Sequence, residues 1–427
     1  MAVIRNIKKE KVQSKDNYFL QNVFGISAVE FFWGLGLPVV VESTFLQLFL
    51  KKNGASSLSI GMIPTFFFIG NSIFALISSY LTNRLIFRRT AVILLHLISS
   101  VSLLLFGGTL FFLKASEFLL WPFFLCYGIF CICIGMTLPV WLSYLVNILS
   151  AKKTVVGLAY MNIFQNMGKL ISSIIILKIV ETYAFSRHSS ALIFFIVGLL
   201  FGIGSLFFFF TKELPSHNST VPIASDSFRK YSFESLAHIL KNRNILYFMM
   251  ADFEFYVVMT VISFYANYAT IYCGINPAIA AGLFVTCIYL GAITSNLTLG
   301  SWGYFTLKNI SLISKLISIF AMLILIVGSA QWDFLLASFL LGAARGTRII
   351  IMPPAVKKLS GLTDATGYFA LFSIFTLPIA MGLPIMTGYF LDYFSSLGGD
   401  AYRMIFGVGV GLILMTLFFL FKVDFDG

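Results

Sequence analysis

The segment LLGAARGTRIIIMPP, residues 340–354, carries Arg345 and Arg348 inside an otherwise apolar stretch. A lone arginine at mid-bilayer costs about 2.5–3.5 kcal/mol on insertion scales, so it must face an acid or a hydrated cavity. Arg345 lies about twelve residues from either end of its span, or roughly 18 Å deep at 1.5 Å per residue. Arg348 follows three residues later and shares that helix face. Gly342 and Gly346 form a GxxxG that lets a second helix approach closely, and the small residues leave room for a ligand. Glu30, Asp252 and Glu254 are the acids buried deepest in other apolar segments, and Lys169, beside Gln165 and Asn166, is a third deep cation. The chemistry this set offers is ion binding and proton exchange. Arg345, Arg348 and Lys169 bind an anionic group, while Glu30 and Asp252 take up protons. If Glu30 pairs with Arg345, substrate anion and carboxylate compete for one cation, and that competition couples two fluxes. The alternative is internal salt bridging that only fixes helix packing. Glu254 lies two residues from Asp252, so the two are not expected to face one cavity. Tyr127 and Trp141 fall roughly on one face of a helix and are expected to line the site.

The other polar residues in apolar segments read more plainly. Lys178 and Lys315 lie close enough to span ends to snorkel to the surface. Glu42 is expected near the outer end of the first span, meeting Lys51 or water. His96 reads as a packed residue. Cys126, Cys131, Cys133, Cys273 and Cys287 show no paired spacing and read as small buried apolar side chains rather than disulfides or metal ligands.

The elements that position these residues follow from composition. The chain has 427 residues, 59% of them hydrophobic and 11% charged. Its mean hydropathy of +0.94 excludes a soluble globular protein and points to an all-α membrane protein. Twelve apolar segments are each long enough to cross about 30 Å of hydrocarbon. They run at 18–50, 56–82, 90–113, 117–149, 154–183, 189–211, 244–273, 277–300, 309–330, 333–356, 363–391 and 401–422. Pro38, Pro64, Pro139, Pro353, Pro378 and Pro384 are candidate kinks. With the N-terminus in the cytoplasm, nineteen Lys and Arg fall inside and five outside, the remaining five of the 29 lying in spans. That bias places both termini in the cytoplasm and assigns the net charge of +12 to topology rather than to nucleic acid.

The segments divide into a cytoplasmic tail at 1–17, a six-helix bundle at 18–211, a linker at 212–243, a second bundle at 244–422 and a short tail at 423–427. The linker is rich in Ser and Pro and ends in SFESLAHILKN, whose apolar spacing predicts a short helix on the cytoplasmic face. The two halves look like copies. SYLTNRLIFRR (79–89) and GYFTLKN (303–309) join spans at the same register, and Asn22 aligns with Asn244, which places Glu30 opposite Asp252. A weak internal repeat of this kind marks a transporter built from two pseudo-symmetric bundles.

SYLTNRLIFRR resembles the loop signature of the major facilitator superfamily between its second and third helices. Leu81, Arg84, Arg88 and Arg89 match the pattern, while Ser79 stands for its glycine and Asn83 for its aspartate. The second copy keeps Gly303 and Lys308 but has Leu307 at the acidic position. The resemblance implies alternating access about a cavity lined by helices one, four, seven and ten, with Arg345 and Arg348 on the tenth. It also implies a cytoplasmic gate in which Asn83, Arg84 and Arg89 act together. Asp364, in the first turn of the eleventh helix, is then placed to supply the missing acid or to favour its own helix N-terminus.

The expected function is therefore secondary active transport of a small anionic or zwitterionic solute, proton-coupled or by exchange. An exporter of amphipathic compounds, or a non-transporting sensor or assembly factor on the same scaffold, is the alternative. No HExxH, Gly-x-Ser-x-Gly or Walker loop is present, so neither an enzyme nor an ATP-driven pump is expected. The expected partners are a small-molecule substrate, a co-transported proton and the lipid bilayer, with no cofactor and no nucleic acid. A monomer in the cell membrane is the expected setting.

Overall fold

The computed structural model describes residues 16–82, 85, 87–112, 119–149, 153–214, 240–301, 305–360 and 366–425. The described residues are almost all helical and include no strand. Among them, 12 helices are long and apolar enough to cross a membrane. Without water to satisfy peptide groups, hydrogen bonding within the helix is the available solution for such segments.

The first apolar segment does not run unbroken to residue 50. It forms α1 (Phe19–Val40), turns at 41–42 and continues as α2 (Ser43–Lys52). Pro38 cannot donate to the carbonyl one turn back, and Glu42 takes extended angles (φ −78°, ψ 121°), so the helix stops and restarts. The second span comprises α3 (Ser57–Ile69), a π-helical segment at Gly70–Phe74 and α4 (Ala75–Thr82). Four continuous helices follow: α5 (Arg89–Phe112), α6 (Leu120–Ile148), α7 (Thr154–Tyr183) and α8 (Arg187–Leu206). The seventh span is in three pieces, α9 (Arg243–Ala251), α10 (Phe253–Ile262) and α11 (Tyr265–Tyr272). Then come α12 (Pro277–Ser295) with a π-helical end at Asn296–Ser301, α13 (Leu307–Val327), α14 (Gln331–Ser360), α15 (Thr366–Tyr393) and α16 (Gly399–Lys422).

The internal repeat reappears as local geometry. Spans one and seven both break, at 41–42 and at Ser263–Phe264, and spans two and eight both carry a π segment. Asn22 donates to the Ile148 carbonyl (2.8 Å) and accepts from the Lys212 amide (2.7 Å), tying the end of span six. In the second copy two asparagines share these bonds. Asn242 donates to the Leu359 carbonyl (3.0 Å), and Asn244 accepts from the Asp424 amide (3.2 Å).

The chain divides into two compact units. Residues 1–38, 73–172 and 190–226 make the first; residues 39–72, 173–189 and 227–427 make the second. The first has an aromatic core. Trp33 stacks on Phe201 at 4.0 Å between centroids, and His96 meets Trp33 and Phe208 edge-on while bonding the Val92 carbonyl at 2.7 Å. His96 is thus a packed residue, as its sequence context suggested.

The second unit is organised by two small-residue seams. Along α12 and α14, Cβ atoms at Gly291 and Gly342 would run into the backbone of Phe339 and Ile288. A Cβ at Gly346 would sit 2.6 Å from the Ser295 hydroxyl. The GxxxG of α14 therefore does bring a neighbouring helix to backbone contact. Along α3 and α15, Gly61 and Gly388 play the same part, and Asp392 closes the seam. Its two carboxylate oxygens accept the Ser57 and Leu58 amides at 2.8 Å each, capping the α3 N-terminus from another helix. Asp392→Ala is expected to cost about 1 kcal/mol, the usual value of a lost helix cap, measurable as a lowered thermal midpoint in detergent, with Asp392→Asn keeping part of it. Cys126, Cys131 and Cys133 are buried, as expected, whereas Cys273 and Cys287 are only half-buried.

Candidate functional site

The second unit gathers six charged side chains into three pairs, one of them buried and two partly buried. Arg345, on the α14 face opened by Gly342 and Gly346, donates both terminal nitrogens to Glu42, at 2.6 and 2.8 Å. This is the two-pronged guanidinium–carboxylate geometry that adds orientation to charge. Glu42, expected near Lys51 or water, instead pairs with Arg345, for which the sequence offers Glu30 as a conditional partner. The corner at 41–42 buries Glu42, whose side chain is 3% exposed, and aims it at Arg345. The Tyr289 ring lies beside the same guanidinium, at 5.9 Å.

Arg348, three residues on, grips Asp252. Its Nε lies 2.9 Å from Oδ1, and its terminal nitrogen donates to Oδ2 at 2.8 Å. The guanidinium also rests on the Phe255 ring at 4.0 Å, a cation–π contact. Asp252 stands between α9 and α10, with φ −72° and ψ −8°; its amide keeps the α-helical bond to the Phe248 carbonyl at 2.9 Å, and the pattern is interrupted just beyond it, where the Phe255 amide bonds the Asp252 carbonyl at 3.0 Å.

That interruption overturns the expectation that Asp252 and Glu254 face different ways. Both line one cavity of about 40 Å³, along with Lys315, Arg345, Arg348, Ser311, Ser314 and Thr347. The argument from two-residue spacing assumed a continuous helix, and the span is not continuous there. A volume of about 40 Å³ holds about three water-sized molecules. Lys315 does not snorkel. Its side chain is 2% exposed, and its ammonium donates to Glu254 at 3.0 Å, the Ala251 carbonyl at 2.6 Å and the Thr416 hydroxyl at 3.0 Å. Glu254 accepts in addition from Ser314 (2.9 Å) and Ser318 (2.6 Å). The sequence held a signal for this network. Ser311, Ser314, Lys315 and Ser318 form a polar stripe at helical spacing inside an apolar span. Lys178 is exposed and pairs with Glu181 at 3.1 Å, as a span-end lysine does.

The remaining candidates lie in the first unit. Glu30 is buried, accepts a hydrogen bond from Gln165 and is within electrostatic reach of Lys169. Gly34 and Gly168 let α1 and α7 touch backbone to backbone there. Tyr127 and Trp141 are packed in the aromatic core. Tyr127 stacks on Phe123 at 5.3 Å and Trp141 on Tyr144 at 5.7 Å. Being apolar-bodied and on the inner face of α6, they fill the packing space among the phenylalanines. Arg89 donates to the Thr211 carbonyl at 3.0 Å, and its backbone amide, like that of Arg88, donates to Glu213. Glu213 thus caps the start of α5, a role the sequence reading did not assign. Asn83, Arg84, Asp364 and the predicted linker helix lie outside the described residues.

Twelve apolar helices, two of them broken beside buried ion pairs, are the architecture of a multi-pass membrane transporter. The chain belongs to the Major Facilitator Superfamily, whose sequence pattern matches residues 40–280. No curated protein matches the sequence. Among solved structures, a mutant form of the nucleoside transporter NupG is similar at 12% identity and a TM-score of 0.76, covering 94% of this chain and 99% of that one. A POT family transporter in complex with a thioalcohol-conjugated peptide is similar at 14% identity and a TM-score of 0.67, covering 94% and 96%. A bacterial homolog of the human lysosomal transporter Spinster, inward-facing and unoccupied, is similar at 14% identity and 0.57, covering 96% and 95%. At these identities the likeness is one of fold.

Proposed function

We propose that the protein is a secondary active transporter of a small zwitterionic or anionic solute, working by alternating access, with Arg345 and Arg348 as the groups that hold the substrate's acidic end. The observation that carries this reading is the charge balance of the cavity. Each arginine is already held by a carboxylate, so a substrate anion binds only by displacing Glu42 or Asp252. A displaced carboxylate left charged in that setting is costly. It is relieved in one of two ways. Either the carboxylate takes up a proton, which couples transport to proton movement, or the substrate supplies an ammonium of its own. The second route keeps the site neutral throughout and favours zwitterions over simple anions. Glu30 remains a proton-coupling candidate with Lys169 beside it, and Glu42 joins Asp252 in that role.

The positive-inside bias supports cytoplasmic termini and a cytoplasmic linker, and the proposal keeps a monomer in the cell membrane as its setting. Arg89 and its neighbours Asn83, Arg84 and Asp364 remain proposed for the cytoplasmic gate.

The test is a thermal-shift screen of amino acids, short peptides and simple carboxylates against the purified protein and its Arg348→Met variant. A zwitterion that raises the midpoint of the first and not the second is the expected result. Ligands that stabilise both equally would remove Arg348 from the site. If esters or amides of the stabilising compound act as well as the parent, the carboxylate is not what the arginine reads.

A further inference from the structure

Lys315 and Glu254 are the buried ion pair that the proposed transport cycle does not use. Their geometry is directed at Asp252. The Lys315 ammonium takes the carbonyl of Ala251, the residue before Asp252, at 2.6 Å, and the carboxylate of Glu254, two residues after it, at 3.0 Å. Where α9 gives way to α10 the Phe255 amide bonds the Asp252 carbonyl (3.0 Å) instead of reaching back a full turn to Ala251, and an Ala251 carbonyl left unpaired in the bilayer would cost several kcal/mol. A buried lysine is a suitable partner, because its three donors radiate from one point. Here the third goes to Thr416 at 3.0 Å, which anchors the ammonium to α16. The other oxygen of Glu254 is held by Ser314 and Ser318, so the clamp has no slack at either end.

We infer that Lys315 is the positioning residue of the candidate site: by clamping the chain on both sides of Asp252, it holds the break open and presents the Asp252 carboxylate to Arg348. The inference rests on the reading of Arg348 as a substrate-holding group, but the clamp itself is tested without transport. Arg345 is the built-in comparison. Its partner Glu42 lies on a different element, outside the clamp, and the two arginine side chains are similarly exposed, at 18% and 22%.

The experiment labels the purified full-length protein with phenylglyoxal, a guanidinium reagent, and follows each arginine by peptide mass spectrometry. In Lys315→Met, Arg348 is expected to react at least several-fold faster than in the parent while Arg345 keeps its rate. Lys315→Arg, which keeps a cation able to bridge a carbonyl and a carboxylate, is expected to restore slow labelling of Arg348. Thr416→Val, a milder change that keeps both charges, is expected to move Arg348 in the same direction by less, and carries the test if the methionine variant does not fold. Equal acceleration of both arginines, or none at Arg348, overturns the positioning role. A failure of the zwitterion screen with a selective change at Arg348 would instead count against the transport reading alone.

Discussion

Glu42→Ala is expected to be far more destabilising than removal of both members of its pair. The substitution leaves Arg345 charged in a setting where its side chain is 18% exposed and its two terminal nitrogens lose their acceptors. Breaking one side of a buried pair typically costs about 3–5 kcal/mol, because the surviving charge is left uncompensated. The double variant Glu42→Leu with Arg345→Met removes both charges and fills similar volume. Such apolar replacements are often neutral or stabilising. The expected order of stability in detergent is therefore parent and double variant close together, with Glu42→Ala well below. Transport should be absent from the double variant despite its fold. A Glu42→Ala protein as stable as the parent would mean that water or another acid reaches Arg345, and that Glu42 is not its counter-ion.

The second large effect is mechanical. Gly342→Val is expected to cost about 3 kcal/mol, the upper part of the range for overpacking a tight core. A Cβ at 342 would overlap the Ile288 carbonyl and lie 2.5 Å from its Cα, and both are backbone atoms that cannot rotate away. α12 and α14 must then separate, and Arg345, three residues further along, moves with α14. The check is the thermal midpoint, together with loss of the Arg348-dependent shift at temperatures where the variant is still folded. Gly382 is a control, since a Cβ there meets nothing within 4 Å, so Gly382→Ala should be nearly silent. If Gly342→Val behaves like Gly382→Ala, the seam is looser than its geometry implies.

Much of the architecture was legible because hydropathy in a bilayer is a strong signal. Long uninterrupted apolar runs have little alternative to helix. The alignment of Asn22 with Asn244 anticipated two asparagines with like duties at the ends of spans six and twelve. The arginines were also legible, since a mid-span charge demands a partner. Their partners were not. Glu42 looked peripheral because Pro38, a candidate kink, was not expected to be followed by a full stop and restart of the helix at Glu42. Glu254 was set aside by the same assumption applied to the seventh span. In both cases the missing information was a backbone break, which single-sequence periodicity does not register. Lys315 was misplaced for another reason. Its distance from the span end permits snorkelling, and the buried acceptors it finds in Glu254, the Ala251 carbonyl and Thr416 explain why it turns inward.

The breaks and π segments that recur in spans one and seven and in spans two and eight bear on descent. Features held in common by two halves of a duplicated chain are most simply inherited from the single six-helix ancestor. On that logic the corners and the asparagine caps are old, and they belong to folding. The Arg345–Glu42 and Arg348–Asp252 pairings have no arginine counterparts in the first half, where the register that sets Ile148 against Leu359 puts Ile134 and Thr137 in their place. The two halves therefore share a bent frame and differ in the charges it houses.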